Sequence, residues 1–341
     1  MMLVRLVLTV VLLFMAAVSA AADPYVYTTL QEPNSTSIEG DLTAASGIND
    51  AGQIVGSYID GNFVPHGFLL SGGVYTTIDP PGTNEVPNLA GTYGSGLFGI
   101  NNAGQMVGEY YATSGQAHGF LDNAGNFSTV DDPTAPAGAR TELRGISNAG
   151  AIVGDYFTGG AGTGVSVGFL LSGGNFTTIA DPNAVDAEGG TLALGINNSG
   201  AIVGLYNYTN PADTHGFLLS GDIYSTIDFP MANERVTGLA INDAGLIFGS
   251  ATDGFSDLLF FDDGGNFSVI PDPYSASGDD IFAAGINNPE DLVGGIVDIS
   301  GNHGFLATPV PAAVPEPSSL MLLIGGLAAL GELRRRAAHR G

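Results

Sequence analysis

The chain has no cysteine, no tryptophan and no lysine. Without cysteine there is no disulfide framework, no thiolate metal site and no thiol nucleophile. Charge is scarce and one-sided. Eight arginines face 34 acidic residues, the formal charge is −26, and charged residues make up 12% of 341. Such a balance argues against nucleic acid and anionic membrane surfaces as partners. No apolar run reaches the roughly 20 residues that span a bilayer comfortably. No phosphate loop with lysine and no His-Glu-x-x-His occurs. What abounds is glycine, 52 residues, and apolar side chains at 44%, enough to bury a sizeable core.

The two ends read as addresses. Arg5 precedes a 13-residue apolar run, Leu6 to Val18, and small residues follow, which suits signal-peptide cleavage after Ala20 or Ala22. Near the other end stand Pro315-Glu316-Pro317, a short apolar stretch from Leu320 to Gly331, and Arg334-Arg335-Arg336. Those arginines would stay on the cytoplasmic side and halt export. The three parts in this order resemble the PEP-CTERM sorting signal of Gram-negative bacteria. The resemblance implies an exosortase-type sorting enzyme as partner, processing near the Pro-Glu-Pro site and residence in the envelope or outside the cell. Membrane contact would come only through the C-terminal segment before processing. The expected organisation is a signal peptide at 1–22, a repeat domain at 23–308, a linker with the sorting motif at 309–317 and an apolar segment with a basic tail at 318–341. Between the addresses only Arg140, Arg144 and Arg235 are basic.

The middle repeats itself. Gly47-Ile48-Asn49 recurs as Gly99-Ile100-Asn101, Gly145-Ile146-Ser147, Gly195-Ile196-Asn197, Ala240-Ile241-Asn242 and Gly285-Ile286-Asn287, at spacings of 52, 46, 50, 45 and 45. Periods of this size fit propeller blades. Each repeat carries four short runs rich in β-branched and aromatic residues, which read as strands. Glycines at 52, 104, 150, 200 and 245 suit a type I turn followed by a left-handed residue. The sixth repeat has no glycine there and lacks a fourth run. Tyr25 to Leu30, ahead of the first repeat, matches the missing run. We therefore expect an all-β fold, a six-bladed β-propeller of four-stranded blades closed by the N-terminal strand pairing in the last blade, with Gly-Ile-Asn innermost. A closed ring leaves only short, protected edges. The pattern, with His66-Gly67-Phe68 and its kin, resembles the HAF family of probable extracellular repeat proteins over about residues 42 to 306. That resemblance implies location and fold more than chemistry.

The recurring histidines, His66, His118, His215 and His303, invite a metal reading. Val167 and Leu258 fill the same slot in two repeats, so the slot reads as packing, and no metal or cofactor is expected. Phe68, Phe120, Phe169, Phe217, Phe260 and Phe305 occupy every repeat two residues later and read as core between blades. The Asn49 series reads as side chains capping their own turns. Asp79, Asp131 and Asp228 read as strand terminators. Two of the connecting turns keep constant length, while the loops at the opposite end vary, and variable loops on a rigid scaffold are where binding resides. The expected ligand-binding set there is Glu85, Tyr93, Tyr111, Asp186, Glu188, Tyr208, Asp213, Glu234 and Arg235, with Asp279 and Asp280 nearby.

The resulting expectation is an exported envelope or matrix protein, not an enzyme, with a binding or structural role whose partner would be exopolysaccharide or an envelope protein. The alternative is a propeller enzyme, a hydrolase, lyase or lactonase, using carboxylates at the channel mouth with or without calcium. Three or more carboxylates or asparagine oxygens converging within a few ångström at that mouth would favour the enzyme. A shallow tyrosine-lined groove would mark the binder.

Overall fold

The computed structural model describes residues 25–35, 41–85, 94–159, 164–184, 190–207, 214–230, 235–252, 257–274 and 279–311. The chain divides into two compact units, Met1–Pro309 and Val310–Gly341. The described strands all belong to the first unit.

Among the described residues there are 24 strands and no helix. β1 is Tyr25–Leu30. The first repeat holds β2 (Asp41–Ile48), β3 (Ile54–Ile59), β4 (Pro65–Ser71) and β5 (Val74–Ile78). The second holds β6 (Ser95–Ile100), β7 (Gln105–Tyr111), β8 (Ala117–Asn123) and β9 (Asn126–Val130). The third holds β10 (Arg140–Ile146), β11 (Ile152–Thr158), β12 (Val165–Ser172) and β13 (Asn175–Ile179). The fourth holds β14 (Gly190–Ile196), β15 (Ile202–Asn207), β16 (Thr214–Ser220) and β17 (Ile223–Ile227). The fifth holds β18 (Arg235–Ile241), β19 (Ile247–Thr252), β20 (Asp257–Asp263) and β21 (Asn266–Ile270), and the sixth holds β22 (Asp280–Ile286), β23 (Leu292–Asp298) and β24 (Gly301–Pro309). Each repeat is an antiparallel meander, and the whole is a β-propeller. Short parallel bridges, β12 to β14 and β2 to β24, merge neighbouring meanders into shared sheets.

The sixth meander takes its fourth strand from the other end of the chain. β1 runs antiparallel to β24 with Tyr25 opposite Pro309 and Leu30 opposite Gly304. The fourth-run residues seen in the sequence thus pair where the gap was.

The turns between first and second strands have the expected left-handed residue, with φ of 71° at Gly52 and 86° at Gly245. In the sixth repeat Glu290 adopts the same conformation at φ 66°, a strained choice for a residue with a Cβ.

The six repeated phenylalanines are at most 1% exposed. They pack between repeats: Phe120 shares a core cluster with Val55 of the preceding repeat, and Phe305 shares one with Phe248 and Tyr25. In the innermost strands the register slips just before the Gly-Ile-Asn motif, for example between Leu143 and Gly145 and between Leu97 and Gly99. Bulges of this kind re-aim a side chain. The bulge residues Ser46, Phe98, Arg144, Leu194 and Ala284 all line the central channel.

Candidate functional site

The channel has a constricted polar end, an apolar waist and a wider end. The polar end is a cavity of about 100 Å³ lined by equivalent residues of all six repeats, Ile48-Asn49-Asp50 through Ile286-Asn287-Asn288. Each asparagine of the Asn49 series does cap its own turn; Asn49 Oδ1 accepts from the N–H of Ala51 and of Gln53. The same side chain also reaches sideways, which self-capping alone does not foresee. Asn49 Nδ2 donates to the Asn101 carbonyl at 3.1 Å, and Asn287 Nδ2 donates to the Asn49 carbonyl at 3.1 Å. The next residue forms a second ring. The N–H groups of Asp50, Asn102, Asn148, Asn198, Asp243 and Asn288 each donate to the Oδ1 of the following member, at 2.7–2.9 Å. Burial opposes ionisation of Asp50, yet donation from Asn288 and Asn102 holds its carboxyl below the ordinary range. Every oxygen used here is spoken for by the scaffold.

At the waist Ile48, Ile100, Ile146, Ile196, Ile241 and Ile286 line both the polar cavity and the next one. Beyond it opens a cavity of about 260 Å³ lined by Ser46, Phe98, Arg144, Leu194, Thr237 and neighbours. Arg144 is the charged residue among them.

Arg144 is the fourth member of a line of five alternating charges. In β10, Arg140 and Glu142 fall on one face by the two-residue period of a strand, and the bulge between Leu143 and Gly145 carries Arg144. Arg140 Nε donates to Glu109 Oε2 of β7 at 3.0 Å. Arg140 also pairs with one oxygen of Glu142, whose other oxygen pairs with Arg144. Arg144 Nε then donates to Asp155 Oδ1 at 2.7 Å, and its guanidinium lies 5.5 Å from the Phe98 ring centroid. Glu142 and Asp155 sit directly opposite one another in the β10–β11 ladder, a repulsive arrangement unless a cation joins them. Arg144 is that cation. The Glu142 and Asp155 side chains are only 6% and 4% exposed. Burial pushes the Glu109 carboxyl above its ordinary range; Asp155 adds to the rise, and Arg140 and Arg144 oppose it. A buried carboxyl shifted upward beside a fixed set of charges is the environment in which proton transfer near neutral pH is tuned.

Of the residues expected to bind ligand, Tyr111 ends β7 and borders a separate cavity with Arg140. Glu85 is exposed and contributes to the field around His66. Arg235 opens β18, and Asp280 opens β22. Tyr93, Asp186, Glu188, Tyr208, Asp213 and Glu234 lie outside the described residues, as do the processing positions Ala20, Ala22, Pro315, Glu316, Pro317 and Arg334 to Arg336. Glu109, Glu142, Arg144 and Asp155 were not in that expected set.

The histidine slot is more than packing. His66, His118 and His215 hydrogen-bond Asp79, Asp131 and Asp228 at 2.9, 2.7 and 2.6 Å, and their rings lie against Tyr58, Tyr110 and Tyr206. These aspartates are therefore histidine partners as well as strand ends. No group of three or more metal-ligating side chains occurs among the described residues.

No family model and no curated protein matches the chain. Similar solved structures include virginiamycin B lyase from Staphylococcus aureus, at 12% identity, covering 84% of this chain and 100% of that one with a TM-score of 0.45. A gluconolactonase from Xanthomonas campestris aligns at 12% identity over 85% and 96% of the two chains, TM-score 0.47. A lectin from Aleuria aurantia bound to α-methyl-L-fucoside aligns at 14% identity over 84% and 99%, TM-score 0.47. None of these likenesses bears on what this chain does.

The expected non-catalytic role is corrected here. In the chain itself Glu109, Glu142 and Asp155 form ion pairs with Arg140 and Arg144, and Arg144 lines the channel cavity, an arrangement that fits the catalytic alternative better than a non-catalytic role.

Proposed function

We propose that the chain is a closed six-bladed propeller whose wide channel mouth hydrolyses a small, uncharged carbonyl compound of the lactone or ester class. The observation that carries this reading is the line from Glu109 to Asp155, which fixes Arg144 in the channel cavity against two carboxylates. Two guanidiniums set against three carboxylates leave no surplus positive charge for an anionic substrate, so a neutral one fits. Arg144 would donate to the substrate carbonyl and hold the oxyanion as water adds, a contribution that typically amounts to about 10²–10³ in rate. Asp155, acting through one water, would take the proton of the attacking water and return it to the departing ring or ester oxygen. Glu142 is a positioning residue that spaces the two arginines.

Ring closure is supported by the β1–β24 pairing, by the β2–β24 bridge and by the bonds from Asn287 to Asn49 and from Asn288 to Asp50. Export and sorting rest on the two sequence addresses; mass spectrometry of the envelope-associated protein would find Arg334 to Arg336 removed, whereas their recovery would contradict sorting. The catalytic reading is tested by incubating the full chain with a panel of neutral five- and six-membered lactones and aryl esters under pH-stat. Acid release that is absent in Arg144→Gln supports it; no release from any member contradicts it.

A further inference from the structure

A second cavity, of about 280 Å³, opens between the second and third repeats at the variable-loop end. It is lined by Tyr111, Ser114, Gln116 and Arg140, with Gly115, Ala117 and Gly138 as small walls. We infer that this outer cavity is a separate binding site for one neutral, hydroxyl-rich ring of hexose size. The inference goes beyond the channel reading and does not depend on it.

Four observations carry it. The volume, about 280 Å³, falls just below the ~300–1,000 Å³ of ligand pockets, so one small ring fills it. The lining mixes an aromatic ring, a hydroxyl, an amide and a guanidinium, the groups that stack on a sugar face and bond its hydroxyls. These groups are held in place beforehand. Gln116 Nε2 donates to the Ala139 carbonyl at 2.8 Å, which leaves its oxygen to accept, and Glu109 and Glu142 pin two sides of the Arg140 guanidinium. Preorganised donors lose little entropy on binding. Finally, the two carboxylates already offset the single charge of Arg140, in a chain of net charge −26. A ligand that brings its own negative charge would be repelled, and an uncharged one would not.

The test is isothermal titration of the full chain with D-glucose, D-galactose, D-mannose, N-acetyl-D-glucosamine, myo-inositol and D-glucuronate. Binding is read directly, so a channel without turnover leaves the result intact. At least one neutral member should bind, and more tightly than glucuronate. Ser114→Trp fills the cavity from an exposed turn position and should weaken that binding at least tenfold. Arg140→Gln should weaken it too, but it strands two carboxylates, so Ser114→Trp is the deciding variant. Absence of binding by every neutral member, tighter binding of glucuronate, or wild-type affinity in Ser114→Trp would each overturn the assignment.

Discussion

Asn288 donates its main-chain N–H to Asp50 Oδ1 and its side-chain amide to Asp50 Oδ2, both at 2.8 Å, across 238 residues of sequence. The same bond joins each earlier repeat to the next over 45 to 52 residues. One local motif therefore serves as both the neighbour contact and the contact between the two ends of the repeat array.

Deleting Tyr25 to Leu30 should destabilise the whole domain. The deletion exposes the edge of β24 and removes Tyr25 and Leu30, each 7% exposed. Burial of such side chains is worth about 1.5–3 kcal/mol apiece, against a total of roughly 5–15 kcal/mol. Urea unfolding is compared with a deletion of the same length within residues 86–93. Equal, small losses in the two would contradict closure.

His66 makes stability depend on pH in a set direction. Its hydrogen bond to Asp79 raises its affinity for the proton, with the charges of Asp79, Asp60 and Glu85 helping and burial opposing. The folded state thus binds the proton more tightly than the unfolded chain, whose histidine titrates near ~6.5. This stabilisation is complete below that value and fades as pH rises through the folded pKa of His66. Imidazole NMR titration should place His66 above an unfolded-chain histidine, and Asp79→Asn should remove the rise. An unchanged titration in Asp79→Asn would refute the pairing.

The histidine and aspartate should behave as one unit. His118→Val alone leaves Asp131 without its ring partner and should cost about 1 kcal/mol. His118→Val with Asp131→Ala copies the Val167/Ala180 pair of the third repeat and should recover most of that loss, a coupling that a double-mutant cycle reads. Phe120→Ala, by contrast, should cost about 3–5 kcal/mol. Additive losses at 118 and 131 would show that the two side chains do not cooperate.

Glu290→Gly should stabilise the protein. Glu290 sits at φ 66° in the turn where its five counterparts, Gly52, Gly104, Gly150, Gly200 and Gly245, carry no Cβ. Relief of left-handed strain is worth about 1–2 kcal/mol, less the ~0.5–1 kcal/mol that glycine loses in entropy. A net rise in the thermal midpoint is expected, and a fall would mean that Glu290 makes a compensating contact.

Much of this was legible in the sequence because repetition supplies its own controls. Six copies fixed the strand runs, the left-handed glycines and the match between Tyr25–Leu30 and the missing run. The histidine partners were legible too. Positions thirteen apart read His66–Asp79, His118–Asp131 and His215–Asp228, but Val167–Ala180 and Leu258–Pro271, so in these five repeats the acid is present where the histidine is and absent where it is not; His303, with no fourth strand after it in sequence, turns to Ser300 and Asp298 instead. The channel charges were harder to see because they do not repeat. Arg144 occupies a bulge whose equivalents are Ser46, Phe98, Leu194 and Ala284, and Glu109 reaches Arg140 from the preceding repeat, 31 residues away. The one signal was rarity, since two of the three arginines between the addresses stand four residues apart. Sideways bonding of the Asn49 series depends on the spacing between repeats, which a turn motif does not state.

The most direct test compares kcat/KM for lactone or ester hydrolysis in the wild-type chain, Arg144→Gln and Glu290→Gly, with thermal midpoints recorded for all three. The account predicts that Arg144→Gln loses about 10²–10³ of the wild-type rate below a thermal midpoint lowered by the unpaired Glu142 and Asp155, and that Glu290→Gly, in the turn of the sixth repeat, keeps the rate. Equal rates in the wild type and Arg144→Gln would contradict a catalytic channel.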